Sequence, residues 1–183
     1  MEINDIVYNP GETEYVTSFN DATTAAYPFS SRILLLSDQD SSSNFIRDHM
    51  TVDFNGHTMT WTGSYGNTTV SLSGTGVTFL NTGTSQGHFI GTINLWGSSG
   101  SSPNLIIPAD TNLLIDALEV KEGTASLAGG TFGTITILNG SASLTFSRRD
   151  TATNRMVRSS FHPTATQNSP TVSVVPATTL RQP

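Results

Sequence analysis

Apolar residues along this chain fall into short clusters that recur at a near-regular distance. One series runs Ile33-Leu34-Leu35, Val52-Asp53-Phe54, Val70-Ser71-Leu72, Phe89-Ile90, Leu105-Ile106-Ile107, Leu118-Glu119-Val120 and Ile135-Thr136-Ile137. A second runs Met59-Thr60-Trp61, Val77-Thr78-Phe79, Ile93-Asn94-Leu95, Leu113-Leu114-Ile115, Leu127 and Leu144. In both series the shortest step falls in the same stretch, from Leu105 to Leu118 in the first and from Leu113 to Leu127 in the second. That shared contraction points to one repeating unit that shortens.

Many clusters alternate apolar, polar, apolar, the period of a strand with one face inward. Gly, Asn and Ser punctuate them, and no helical period competes. A unit of roughly 13 to 20 residues with two or three strands predicts one coil of a β-solenoid. Six or seven coils stacked about 4.8 Å apart give a rod on the order of 30 Å long. The alternative is a β-sandwich or jelly roll, which also spaces strands by roughly 8 to 12 residues but does not require the two series to keep step.

The run Val52-Asp53-Phe54-Asn55-Gly56-His57-Thr58-Met59-Thr60 resembles the strand–turn–strand phrase of right-handed parallel β-helices of the pectin-lyase-like superfamily. Val70-Ser71-Leu72-Ser73-Gly74-Thr75-Gly76-Val77-Thr78-Phe79 resembles the phrase that follows it. The resemblance spans about 33–146 and implies a single-stranded right-handed parallel β-helix. It does not imply an activity, because that superfamily holds polysaccharide lyases and hydrolases as well as phage tailspikes and adhesins. On physical grounds alone, Asn55-Gly56 is a strong turn signal, since Gly takes positive φ without steric cost. Asn55 is placed to start a side-chain ladder, with Ser73-Gly74 in the equivalent position of the next phrase.

The ends differ from the middle. Residues 1–31, with Asn9-Pro10-Gly11 and a mildly helical patch at 21–26, are expected to cap or attach the first coil, because an open end exposes strand edges. Residues 32–146 form the expected solenoid. Residues 147–183 lose the period and are broken by Pro163, Pro170, Pro176 and Pro183, which predicts an extended arm. Within it 171–175 reads as one strand, expected to pair with a partner rather than with its own core.

Composition sharpens this picture. Only 12% of residues are charged, about half the usual share, and hydroxyl and amide side chains keep the surface wet instead. Residues 1–146 carry three bases (Arg32, Arg47, Lys121) against thirteen acids, whereas residues 147–183 carry five arginines against Asp150 alone. An acidic body argues against nucleic acid as a partner of the body, and a basic arm suits an acidic neighbour, such as the body of another copy. There is no cysteine, hence no disulfide or thiolate site. The opening MEINDIVYNPGETEYV lacks the basic start and apolar run of a secretory signal, and Met1 reads as a native start. No stretch approaches the roughly 18 apolar residues of a membrane helix.

Candidate chemistry is thin, and no catalytic, cofactor-binding or metal site is expected. Glycoside hydrolysis needs two carboxylates roughly 5 to 9.5 Å apart. Asp38, Asp40 and Asp53 are the candidates, and Asp38 with Asp40 would share a face of an extended segment. The lyase chemistry implied by the resemblance wants acidic Ca²⁺ ligands beside a base, yet no Asp, Glu, Lys or Arg occurs in 55–109. His49, His57, His88 and His162 lack ligand spacing, although His49 and His57 could meet across a loop without a third ligand. Gly74-x-Gly76 lacks the third glycine and the helix of a dinucleotide site. Trp61, Trp96, Tyr65 and Phe89 read as packing residues first and as a sugar-stacking platform second. Thr58, Thr60 and Thr78 suggest an ice-binding ladder that Asn94 interrupts.

The expected function is therefore a non-enzymatic structural or adhesive virion component: a phage spike, tail fibre or capsid decoration protein. It would be made in a host cytoplasm and carried out in the particle. Expected partners are further copies of itself as a homotrimer and other virion structural proteins, without nucleic acid or membrane. A carbohydrate-binding or polysaccharide-degrading β-helix module is the alternative, with a surface glycan as partner. A fragment of a bacterial surface adhesin, extracellular, is the third reading.

Overall fold

The computed structural model describes residues 3–26, 30–42, 48–62, 69–72, 74–96, 103–138, 141–146 and 171–176, with 69–72, 141–146 and 171–176 described by their backbone. In chain order the elements are β1 (Asp5–Asn9), β2 (Glu12–Val16), α1 (Phe19–Ala25), β3 (Arg32–Leu35), β4 (Gln39–Ser41), β5 (Thr51–Asp53), β6 (Thr58–Trp61), β7 (Thr69–Leu72), β8 (Val77–Leu80), β9 (Gly87–Leu95), β10 (Asn104–Ile107), β11 (Leu113–Val120), β12 (Thr124–Leu127), β13 (Thr131–Ile137), β14 (Ser141–Phe146) and β15 (Thr171–Pro176).

The architecture is all-β, in two sheets. The first has the order β15-β14-β12-β10-β8-β5-β3-β1-β2, and the second β13-β11-β9-β6-β4 with β7 beside β9. From β3 to β15 every neighbouring pair of the first sheet is parallel, as is every pair of the second. From β3 to β14 the chain passes back and forth between the sheets, with β6 and β7 as two successive strands of the second. From β3 to β14, each strand of the first sheet thus meets its next parallel neighbour only after the chain has visited the other sheet. Parallel pairing demands such a crossover.

Register defines the repeat. In the first sheet Arg32, Thr51, Thr78, Ile106, Ser126, Ser143 and Ser173 stand in one row. Their positions show a repeat that is longer and less even than expected, although its shortening after Ile106 falls where both apolar series contract. The reason lies in the second sheet. There β9 is one long strand that pairs with β6 through Phe89 and with β7 through Ile93 and Leu95. Strand β11 likewise supplies Ile115 and then Leu118 and Val120. Counted from sequence, these segments fall into separate series; in space, members of each series are divided between sheets.

The same division separates the two phrases of the resemblance. In the first, β5 of the first sheet precedes β6 of the second; in the other, β7 of the second sheet precedes β8 of the first. The later phrase therefore does not repeat the earlier one position for position.

Alternation places the core between the sheets. Val52, Val77, Phe79, Leu105 and Ile107 of the first and Met59, Trp61, Phe89, Ile93, Leu95, Ile115 and Leu118 of the second are buried. The Phe79 ring lies between two others, its centroid 5.6 Å from that of Phe54 and 6.3 Å from that of Phe89. Fully burying side chains of this size stabilises the fold by about 1.5–3 kcal/mol each.

At one end, β1 covers β3 with an antiparallel register, Asp5 opposite Leu35 and Val7 opposite Ile33. The helix α1 begins at Ser18, whose hydroxyl accepts from the Asp21 N–H at 3.2 Å, with the Asp21 carboxylate in the favoured first turn. Phe19 and Ala22 are buried. At the other end, β15 pairs with β14 of the same chain from Ser141↔Thr171 to Phe146↔Pro176. This corrects the expectation that 171–175 awaits a partner. The edge of β14 already offers the ladder that such a strand needs, and Pro176 lies at the strand's end, on an edge where a missing N–H is tolerated.

Candidate functional site

The densest polar cluster sits where the chain leaves the first sheet. Asp53, at the end of β5, has a fully buried carboxylate. It pairs with the Arg32 guanidinium, accepts from Thr82 Oγ1 at 2.7 Å, and accepts at Oδ1 from the backbone N–H groups of Asn55 and Thr82 at 3.0 Å each. Asn55 and Gly56 follow with φ of 48° and 83°, the left-handed turn that their sequence predicts. Asn55 Nδ2 donates to Leu35 O at 3.0 Å, and Gly56 N–H donates to Asn81 Oδ1 at 2.5 Å. Asn81 Nδ2 in turn donates to Asn112 O at 2.9 Å. A chain of amides thus joins successive passages of the backbone, with Asn81 as its second member among the described residues; Ser73 of the expected Ser73-Gly74 lies outside them. The step from Asn55 to Asn81 follows the long register step from Thr51 to Thr78.

Two of the acids considered for hydrolysis lie in different sheets. Asp40 lies in β4 of the second sheet and Asp53 in β5 of the first. Asp38 is exposed, accepts from Thr58 N–H at 2.8 Å and lies 3.4 Å from His57 Nδ1. Asp48 Oδ1 likewise accepts from Thr75 N–H at 2.6 Å. Each of Asp38, Asp48 and Asp53 is engaged by backbone donors of a neighbouring passage, which is how an acceptor-only side chain satisfies a turn.

The histidine side chains have different partners, although the His88 backbone N–H donates to His57 O at 3.1 Å. His57 lies on Asp38, whereas the His49 ring packs against Gly76, and the His49 backbone N–H donates to Thr75 O at 2.8 Å. His88 Nε2 is 2.8 Å from Asp116 Oδ1. His162 lies outside the described residues. Among the described residues, no group of three or more His, Cys, Asp or Glu side chains is placed to hold a metal ion.

The aromatic platform divides. Trp61 and Phe89 are buried in the core, Trp96 is 56% exposed, and Tyr65 lies outside the described residues. The threonine ladder is not formed either. Thr60 stands between Asp40 and Ile90 in the second sheet, and Thr78 between Thr51 and Ile106 in the first. Gly76, at φ 70°, belongs to a turn before β8.

Sequence reasoning missed a second polar cluster, at the capped end. Asp5 of β1 is fully buried, and its Oδ1 accepts from Gln39 Nε2 at 2.6 Å. Gln39 also donates to Asn4 O at 3.2 Å and accepts at Oε1 from Phe19 N–H at 3.0 Å. Asp5 Oδ2 has no hydrogen-bond partner among the described residues. Burial pushes this carboxyl up from its ordinary 3.8 to about 6; the Gln39 hydrogen bond opposes the rise and the Asp21 carboxylate adds to it. No pattern in the sequence marked it, because β1 alternates Asp5, Val7 and Asn9 with the more apolar Ile6 and Tyr8, and it is the first set that is buried.

Comparison of the chain with protein-family models, with curated proteins and with solved structures finds no match.

Proposed function

We propose that this chain is a non-enzymatic structural or adhesive component of a virion, of the phage spike, fibre or capsid-decoration kind. In this reading the two parallel sheets are faces of one single-stranded right-handed β-helix of six or seven coils. The observation that carries it is the repeated passage of β3 to β14 between two parallel sheets that share one core. A strand–crossover–strand connection between parallel neighbours is right-handed in nearly every known case. Such a stack resists loss of any one coil, which suits a mechanical part.

Two further features support the reading. The acids at the turns hold neighbouring backbone, so charge serves the stack. The row of the first sheet that alternates with the core holds Arg32, already paired with Asp53, and then Thr51, Thr78, Ile106 and Ser126, so that beyond Arg32 it carries hydroxyl and apolar groups rather than charges. A second copy meets little desolvation cost there. The partners are then further copies, as a homotrimer, and other virion proteins, with the basic residues 147–183 directed at acidic surfaces.

Light scattering of the purified protein, alone and mixed with candidate virion structural proteins, tests this. Three copies per particle and co-elution are expected; a monomer that ignores every structural protein overturns it. A glycan-binding reading is favoured by one observation, the exposed ring of Trp96. Incubation with host capsular polysaccharide separates the two classes: shortened chains would mark a depolymerase, and unchanged chains the structural reading.

A further inference from the structure

Two aspartates among the described residues are fully buried, and they are treated oppositely. Asp53 has a guanidinium, a hydroxyl and two backbone donors. Asp5 has the Gln39 amide, and its other oxygen is buried without a partner among the described residues. Burying an ionised carboxylate this sparsely solvated is costly, whereas a neutral carboxyl is far cheaper to bury.

The position of Asp5 gives that imbalance a consequence. It sits in β1, opposite Leu35 of β3 on one side and Val16 of β2 on the other. Its donor, Gln39, belongs to β4 and also holds the first N–H of α1. A single side-chain amide on β4 therefore holds both β1 and α1 of the cap.

The charged groups around Asp5 offer no relief. On α1, Asp21 is an acid; on β2, Glu12 and Glu14 are acids, and Glu14 accepts from Asn9 Nδ2 at 3.1 Å. On β4, Asp40 is an exposed acid. On β3, Arg32 is the one cation among the described residues up to Ser41, and it is engaged by Asp53.

We propose that residues 3–26 form a proton-gated latch over the leading edges of β3 and β4, with the Asp5 carboxyl as its sensor and Gln39 as the pin. Protonated Asp5 seals the cap. Ionised Asp5 loosens it and bares the β3 edge, whose unpaired N–H and C=O groups then offer a ladder to another strand. The sign follows from linkage. The closed state holds the proton more tightly than the open state, so closure strengthens as pH falls from about 6 towards 3.8 and stops changing above about 7. This inference is independent of the virion reading, because it concerns only the capped end.

Amide hydrogen exchange of the full chain, corrected for intrinsic rate, tests it at pH 5 and pH 7.5. The opening equilibrium of β1 and of the β1–β3 ladder is expected to rise about tenfold between the two, and Asp5→Asn is expected to abolish the rise. Equal pH dependence in Asp5→Asn, or none in the wild type, overturns the proposal. Should Asp5→Asn fail to fold, the carboxyl ¹³C resonance of Asp5 in the wild-type chain decides. A midpoint near 6 supports the latch, and one near the ordinary carboxylate value overturns it.

Discussion

His88 Nε2 lies 2.8 Å from Asp116 Oδ1, across the β9–β11 ladder. Asp116 Oδ2 also accepts from Gly91 N–H at 3.3 Å, and the register between β9 and β11 shifts at this residue. One carboxylate thus holds β9 just before the bulge, at His88, and within it, at Gly91. Bulges bend strands, and this one lets β9 and β11 each contribute two apolar segments to the core.

Asp116→Ala should therefore cost only about 0.5–1 kcal/mol, because the side chain is 44% exposed and water replaces part of what is lost. Urea unfolding measures it. A loss of several kcal/mol would mean that the bulge depends on this side chain rather than on the backbone.

Asp53→Ala should be far more damaging. It strands the Thr82 hydroxyl and two backbone N–H groups, and it leaves Arg32 without its partner. The expected loss is about 2–4 kcal/mol, somewhat below that of a wholly buried pair because Arg32 is 43% exposed. A drop in urea midpoint with an unchanged slope is the expected signature.

Gly83 is pressed against the Asn55-Gly56 turn, and a Cβ there would lie 2.3 Å from the Asn55 carbonyl carbon. Gly83→Ala should destabilise by about 1–3 kcal/mol, since backbone rather than a flexible side chain must give way. Gly11→Ala is the control. It meets nothing within 4 Å, so only its φ of +92° opposes the change. Its cost should stay at about 1–2 kcal/mol. Thermal melts of both variants rank them.

Ending the chain before Thr171 removes β15 and bares β14. The truncated protein should melt at a lower temperature and associate as its concentration rises, through the exposed edge. Loss of assembly with an unchanged melt would instead restore the view that this segment serves partners alone.

The Asn55-Gly56 turn was legible for a local reason. It needs only its own backbone preferences to turn the chain, so its positive φ could be foreseen. The acids were harder. Asp38, Asp40 and Asp53 lie close in sequence, and only the pairing of strands sends Asp40 to one sheet and Asp53 to the other.

Period-2 patterning and turn chemistry act over a few neighbouring positions, so short strands that bury one face each are written in the chain itself. So is much of the core, down to Trp61 and Phe89. Which strand lies beside which is not written there. Partners such as Thr51 and Thr78 are distant in sequence, and the long strands β9 and β11 hide that distance from any fixed period. For the same reason folding was needed to bring Gln39 to Asp5 and to leave one buried carboxylate oxygen without a donor among the described residues.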